Sequence, residues 1–131
     1  MRKILLIEDE NHIREVYKEE LELSGFVVAA CPTGYQGLDL FYKEDFDLVL
    51  LDLVLPDING LHILEKIKKD KVKKNVPVLI ISNLDQDIIV RQGLQLGAEA
   101  YLEKLANTPD IIVGKVKAIL EKVSSQKSQD K

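Results

Sequence analysis

Five short aliphatic runs, each followed by a segment with helical spacing, are the feature that most restricts how this chain can fold. The runs cover residues 4–7, 27–30, 48–51, 78–81 and 100–102. Each run is too short to form a helix of its own and is almost continuously apolar, which is typical of a strand covered by helices on both faces. Five strand–helix repeats predict parallel strands, right-handed crossovers and a sheet between two helical layers.

The segments between the runs carry apolar residues three or four positions apart, which is the spacing of one helical face. The last segment is the clearest, because Ile112, Val116 and Ile119 form one stripe after Thr108-Pro109. A threonine caps free N–H groups at a helix start, and proline suits the first helical position. We therefore predict an α/β domain built as a (βα)5 doubly wound sheet with strand order 2-1-3-4-5.

Composition and charge narrow the class of protein further. The 131 residues are 46% apolar and 31% charged, and the net charge of −4 provides no basic excess that would attract nucleic acid. No apolar run approaches the length of a membrane span, and the start of the chain lacks the pattern of a signal peptide. We predict a cytoplasmic protein with one domain over 1–123 and a polar, disordered tail over 124–131.

Polar residues stand at or just beyond the ends of four predicted strands. Glu8 and Asp9 follow the first, Asp52 ends the third, Ser82 ends the fourth, and Lys104 lies just beyond the fifth. The predicted topology brings these residues to one edge of the sheet, near the point where the chain reverses direction. Three neighbouring carboxylates repel each other, and oxygen ligands suit Mg²⁺, which relieves that repulsion. We therefore predict a magnesium site at this edge.

Asp52 is the residue of this set with a chemical task, because it stands between aliphatic residues in the stretch LVLLDLVLPDING. We expect it to lie deepest. A carboxylate that attacks a phosphoryl group gives an aspartyl phosphate, and the oxygens of that group can be compensated by Mg²⁺, Lys104 and the Ser82 hydroxyl. Asp57 in the same stretch is interpreted as a loop acid only. The histidines, His12 and His62, are assigned no chemistry.

Four sequence pieces, ILLIEDE, LLDLVLPDING, ISN and GAEAYLEK, together resemble the response-regulator receiver domain of two-component phosphorelays. The resemblance spans residues 2–123. It implies a flavodoxin-like fold and a signalling domain, not an enzyme, which accepts a phosphoryl group from a histidine kinase or phosphotransfer protein. The site residues that it implies are the metal ligands Glu8, Asp9, Asp52 and the Val54 backbone carbonyl, the phosphoacceptor Asp52, the switch hydroxyl of Ser82, the phosphate-binding Lys104 and the switch aromatic Tyr101.

The resemblance also implies how a phosphorylated state would be read out. The fourth helix, fifth strand and fifth helix form the expected surface for a downstream protein target, and the same face is the candidate surface for a homodimer. Val54 and Leu84 are apolar at positions that influence water attack in this family, so we expect a long-lived phosphorylated state. No output domain is expected after the last helix, which leaves a stand-alone receiver or a piece of a longer regulator.

Departures from the family pattern leave alternatives open. Leu105 stands where proline usually follows the lysine, Asn83 stands where the family usually has a small residue, and Glu8 replaces the commoner aspartate. A pseudo-receiver that works without phosphorylation therefore stays an alternative. An aspartyl-nucleophile phosphohydrolase is less favoured, because strand 1 ends in IEDEN and not in DxDx[TV]. A flavin-binding protein is also less favoured, because acids follow strand 1 where small hydroxyl residues would cradle a phosphate.

Overall fold

The computed structural model describes residues 2–83 and 86–129. The five strands are β1 (Lys3–Ile7), β2 (Val27–Cys31), β3 (Leu48–Asp52), β4 (Val78–Ser82) and β5 (Ala100–Glu103). The five helices are α1 (Asn11–Leu23), α2 (Gly34–Lys43), α3 (Gly60–Lys69), α4 (Asp87–Gln95) and α5 (Pro109–Gln129). Strands and helices alternate along the chain as the hydrophobic pattern predicts.

All the strands are parallel and lie in the order β2-β1-β3-β4-β5, so the predicted doubly wound fold is confirmed. The register aligns the carboxyl ends of the strands. Ile7 lies opposite Leu51, and Asp52 lies opposite Ile81. The residue that follows β1 and the last residue of β3 therefore meet at the same edge of the sheet.

Two cores, one on each face of the sheet, explain the continuous apolar runs. Ile4 and Leu6 of β1 pack with helices α1 and α5, whereas Leu5 and Ile7 pack with α2 and α3. Every residue of β3 and β4 is buried, and the edge strands β2 and β5 are only partly covered. Side chains that alternate between two covered faces must all be apolar, which removes the alternation of a half-exposed strand.

The predicted helix starts agree with the observed caps. The Thr33 hydroxyl accepts a hydrogen bond from the Gln36 N–H at 3.2 Å at the start of α2, and α5 begins at Pro109. The α5 backbone is helical to Gln129, and the division of the chain at 123 into domain and tail stays a prediction. Over 2–83 and 86–129, no helix combines the length and apolarity that a membrane crossing requires.

Candidate functional site

Three carboxylates meet at the carboxyl edge of the sheet, as the strand ends predict. Glu8 directly follows β1 and is completely buried, Asp52 ends β3 and is 3% exposed, and Asp9 is exposed at the rim. One carboxylate oxygen from each residue lies within 4.8 Å of the other two. Glu8 and not Asp52 is the deepest of the three, so the expectation that Asp52 lies deepest is wrong. Glu8 follows an aliphatic run that is fully buried, as Asp52 does, so each acid stands at the end of a buried run.

Lys104, which directly follows β5, contacts both buried acids. Its Nζ lies 2.5 Å from Glu8 Oε1 and 3.0 Å from Asp52 Oδ2. The lysine backbone is anchored by its own N–H, which donates to the Ser82 carbonyl at 2.9 Å. The chain thus brings one ammonium group over two carboxylates that lie far from it in sequence.

Burial dominates the electrostatics of Glu8. Desolvation, followed by the hydrogen bond with Asp52, raises the pKa of Glu8 to about 8, although Lys104 works against this rise. Within the described residues, Glu8 Oε2 is the one fully buried side-chain oxygen or nitrogen atom without a hydrogen-bond partner. A buried acceptor without a partner is costly, so this oxygen is available to a proton or a cation.

The contacts of Lys104 with Glu8 and Asp52 keep its side chain positively charged. Burial alone would lower the pKa of Lys104, but the hydrogen bonds and charges of Glu8 and Asp52 raise it above its usual value. The ammonium group therefore stays protonated at neutral pH. One positive charge faces the carboxylates and is itself largely shielded from water, which strengthens its interaction with any anionic group that enters.

Of the three remaining predicted site residues, two lie beside Asp52. Ser82 is completely buried at the end of β4, beside the strand that ends in Asp52. The Val54 N–H donates to Asp52 Oδ1 at 3.2 Å, and the Val54 side chain is 55% exposed. Tyr101 of β5 is half-buried and packs against the core near α4. The structure therefore brings Ser82 and Val54 to the acids and places Tyr101 on the neighbouring surface.

Gly60 explains why the loop between β3 and α3 can fold so tightly. A Cβ at this position would lie 2.5 Å from Leu53 Cα and 2.7 Å from the Asp52 carbonyl oxygen, and both of these are backbone atoms. The Gly60 N–H also donates to the Leu53 carbonyl at 3.0 Å. The start of α3 therefore lies directly against the end of β3, and only glycine permits this approach.

Leu105 and Asn83, the two departures in this region, line a pocket of about 240 Å³ beside Lys104. No cis peptide bond occurs in the part of the chain that the structure describes, and Leu105 is 82% exposed. The turn after β5 is closed by Asn107, whose Nδ2 donates to the Glu103 carbonyl at 2.8 Å. Lys104 thus reaches both carboxylates without a proline after it.

Asp57 has a structural role that the sequence interpretation missed, so its description as a loop acid only is wrong. Its two carboxylate oxygens accept hydrogen bonds from the N–H groups of Gly34 and Tyr35, each at 2.9 Å. Desolvation alone would raise the pKa of Asp57, but the backbone hydrogen bonds to its carboxylate together outweigh it and lower the pKa. The residue caps α2 from the loop after β3. No local signal could reveal this contact, because the two partners lie more than twenty positions apart in sequence.

Removal of this cap should weaken the fold. We expect Asp57→Ala to lower the free energy of unfolding by about 1 kcal/mol, the usual value for an N-terminal cap. Asp57→Asn retains one acceptor and should lose less. Because the pKa of Asp57 is lowered, the difference from wild type should be present at neutral pH and disappear as the carboxyl is protonated in acid. Urea titrations at neutral and acidic pH measure this, and equal stability at neutral pH would refute the capping role.

Comparison with known proteins agrees with this geometry. The family model described as response regulator receiver domain matches residues 4–115. A CheY-like receiver domain protein from Methanospirillum hungatei JF-1 is 28% identical, with a TM-score of 0.90 and coverage of 96% of this chain and 98% of its own. The Francisella response regulator 1452 receiver domain is 25% identical, with a TM-score of 0.85 and coverage of 94% and 99%.

The BeF3-activated DrrB receiver domain is 32% identical to this chain, with a TM-score of 0.81 and coverage of 92% of this chain and 98% of its own. The chain belongs to the response-regulator receiver domain family. This family consists of signalling modules of two-component systems, which interact with histidine kinases or phosphotransfer proteins and with downstream targets. Receiver domains bind Mg²⁺ at an acidic pocket, and this chain has an acidic cluster of Glu8, Asp9 and Asp52.

Proposed function

We propose that Asp52 accepts a phosphoryl group from a phosphohistidine on a histidine kinase or phosphotransfer protein. A carboxylate oxygen attacks phosphorus, the bond from phosphorus to the imidazole nitrogen breaks, and an aspartyl phosphate forms. The observation that carries the proposal is the buried Lys104 ammonium, which lies 3.0 Å from Asp52 Oδ2 and 2.5 Å from Glu8 Oε1. Such a group stabilises the negative charge that the phosphoryl oxygens bring into the site.

The chain orients Asp52 before a donor arrives. The Val54 N–H holds Oδ1 and the Lys104 ammonium holds Oδ2, so the plane of the carboxylate is set by both neighbours. Preorganised donors of this kind cost no reorganisation during the reaction. Lys104 and the Ser82 hydroxyl then serve as donors to the phosphoryl oxygens.

Glu8, Asp9, Asp52 and the Val54 carbonyl would hold Mg²⁺, and the residues present fit this ion. The donor set consists of oxygen atoms, as hard divalent cations require, and the partnerless Glu8 Oε2 supplies an acceptor that is already desolvated. When bound, the ion supplies positive charge at the transferring phosphoryl group. With its acids ionised the site has three carboxylates and one ammonium, so a cation is also favoured electrostatically.

The phosphodonor protein approaches over the pocket beside Lys104. This pocket is lined mainly by apolar side chains from α1 and the β5–α5 loop. One of them, Leu105, is 82% exposed. An apolar surface next to a charged site favours a protein donor over a small hydrophilic one, because its burial stabilises the complex. The anchored position of Lys104 also favours a phosphorylatable receiver over the pseudo-receiver alternative.

The readout surface consists of α4, β5 and α5. A Cβ on Gly93 would lie 2.8 Å from Ile80 Cδ1 and 3.9 Å from Tyr101 Cδ2, so α4 packs closely against the sheet beside the tyrosine ring. Ile88 and Leu94 of α4 are 64% and 45% exposed. A rearrangement of Ser82 toward the phosphoryl group, with Tyr101 turning inward, would change this surface for a target protein or a second copy.

The lifetime of the phosphorylated state depends on what borders the site. Val54 presents an aliphatic side chain that is 55% exposed at the rim and offers a hydrolytic water no hydrogen bond. Leu84, the second residue behind this prediction, lies outside the described residues. Because the Val54 side chain is apolar, we propose that the aspartyl phosphate is long-lived. We also propose that the protein is cytoplasmic, where a kinase can reach the site.

Intact-mass spectrometry of the protein incubated with acetyl phosphate tests the proposed function. We expect one phosphoryl adduct with Mg²⁺ present and little or none with excess EDTA. Because an acyl phosphate is cleaved by hydroxylamine and a phosphoserine is not, the adduct should disappear on hydroxylamine treatment. Absence of any adduct with Mg²⁺, in a protein that still binds the ion, would support the pseudo-receiver.

A further inference from the structure

Arg14, in the first turn of α1, holds the loop that carries Glu8 and Asp9. Its Nη1 donates to the Glu8 carbonyl at 2.9 Å and to the Asp9 carbonyl at 3.3 Å, and its Nη2 donates to Asn11 Oδ1 at 2.6 Å. The Arg14 backbone N–H donates to the Glu10 carbonyl at 2.9 Å. The guanidinium group therefore contacts the backbone of both acidic residues at the same time.

The contacts are made to carbonyls and not to carboxylates. Across 2–83 and 86–129, no ion pair joins Arg14 to an acid, and the acids Glu8 and Asp52 are paired with Lys104. An arginine beside an acidic cluster could form a bidentate pair with a carboxylate and so compete with a metal ion. Since Arg14 binds the backbone behind the acids, their carboxylate oxygens remain available to a cation.

Other restraints on this loop are few. The Glu8 N–H donates to the Cys31 carbonyl at 3.1 Å, which fixes the start of the loop to β2. Glu10, at the N-cap of α1, makes no side-chain capping hydrogen bond. Asp9 lies between these points and is exposed. Among the described contacts, the Arg14 side chain is thus the connection between the Asp9 backbone and the body of α1.

We propose that Arg14 is a positioning residue for the metal site, and this inference rests on the proposed function. The planar guanidinium sets the direction of the Glu8 and Asp9 side chains through their carbonyls, so that both carboxylates converge on one cation. Outer contacts of this kind orient metal ligands, and their loss typically weakens metal binding about 10-fold or more. Lysine could contact the two carbonyls with its one nitrogen, but it lacks the second nitrogen that ties Arg14 to Asn11, so it reproduces only part of the arrangement.

The direction in which loss of Arg14 changes Mg²⁺ affinity distinguishes a positioning role from a purely electrostatic one. Arg14 carries a positive charge close to a cation site, so its charge alone opposes Mg²⁺ binding, and neutralising it should tighten binding. Loss of positioning acts in the opposite direction and weakens binding. Lys18 provides a matched control, because it lies one turn further along α1 and is exposed.

Isothermal titration with MgCl₂ compares the wild type with Arg14→Gln, Arg14→Lys and Lys18→Gln. We expect Arg14→Gln, whose shorter side chain loses the contacts with both carbonyls, to raise the dissociation constant about 10-fold, and Arg14→Lys, which loses the contact with Asn11, to raise it about 3-fold. Lys18→Gln should leave the constant unchanged or slightly lower. With Mg²⁺ raised to saturation, both Arg14 variants should form the acetyl-phosphate adduct at close to the wild-type rate, which a general structural defect would not allow.

Three results would overturn the inference. Arg14→Gln could bind Mg²⁺ as tightly as the wild type or more tightly, Lys18→Gln could lose as much affinity as Arg14→Gln, or adduct formation could stay slow at saturating Mg²⁺. If Arg14→Gln fails to fold by circular dichroism, Arg14→Met, which keeps an aliphatic stem and has no N–H donor, decides the question, and an unchanged dissociation constant in that variant refutes the role. A wild type that binds no Mg²⁺ refutes the proposed metal site itself, which is a distinguishable outcome.

Discussion

Asp52→Asn is expected to abolish formation of the aspartyl phosphate. The amide has nearly the same shape as the carboxylate, so the strand end and the Val54 contact can persist, but an amide oxygen is a poor nucleophile and yields no stable phosphoryl derivative. We therefore expect no adduct by intact mass under conditions that phosphorylate the wild type. The fold should be retained, because Lys104 keeps Glu8 as a partner at 2.5 Å.

Asp57→Asn is the matched control for this experiment, because it makes the same chemical change five positions further along the chain, in the loop after β3. It should retain the adduct, although the cap on α2 is weakened. A phosphoryl adduct of wild-type yield on Asp52→Asn would place the acceptor on another residue and contradict the proposed function. Loss of the adduct in both variants would point to disturbance of the loop and not to loss of the nucleophile.

The fold and most of the site could be predicted from the sequence for the same reason. Strands covered on both faces have uninterrupted apolar sequences, which can be recognised directly. The topology predicted from them brings residues 8, 52, 82 and 104 to one edge of the sheet, and this prediction requires no information about individual contacts. Glu8 and Lys104 lie 96 positions apart, and the hydrogen bond between their side chains is a consequence of strand order. Periodicity and chain connectivity therefore determine which residues meet.

What could not be predicted is how those residues share their contacts. The pattern predicts neither that Glu8 is more deeply buried than Asp52 nor that one lysine serves both. The roles of Asp57 and Arg14 were missed for a related reason, because each acts through hydrogen bonds with backbone groups, which carry no residue-type signature. Side chain-to-backbone contacts depend on loop geometry, and loop geometry depends on the complete fold.

Magnesium affinity is expected to rise steeply with pH, because a proton competes with the ion for Glu8. The pKa of Glu8 is raised to about 8 by burial and by Asp52, so the side chain is mostly protonated at pH 6 in the metal-free protein. Binding of Mg²⁺ requires the carboxylate and expels this proton. The apparent dissociation constant should therefore fall about 50-fold between pH 6 and pH 8 and level off above that range.

The stability of the metal-free protein should change in the opposite direction. Because the folded-state pKa of Glu8 lies above its ordinary value of 4.5, the folded protein retains a proton that the unfolded chain releases. The free energy of unfolding should then decrease as pH rises from about 4.5 to about 8, by up to about 1.4 kcal/mol per pH unit from this group. Mg²⁺ should offset this loss most strongly above pH 8, where most of Glu8 no longer carries a proton that the ion has to displace.

Glu8→Gln and Glu10→Gln separate this mechanism from a general pH effect. Glu8→Gln removes the titrating group, so its weaker magnesium binding should vary little with pH, whereas Glu10→Gln changes an exposed neighbour and should retain the full pH dependence. Calorimetry in buffers of different ionisation enthalpy counts the protons released. About one proton per bound ion is expected at pH 6 in the wild type and none in Glu8→Gln.

Equal affinity at pH 6 and pH 8 would mean that Glu8 is already ionised without metal. The buried Lys104 would then neutralise it more fully than its shared position between two carboxylates indicates.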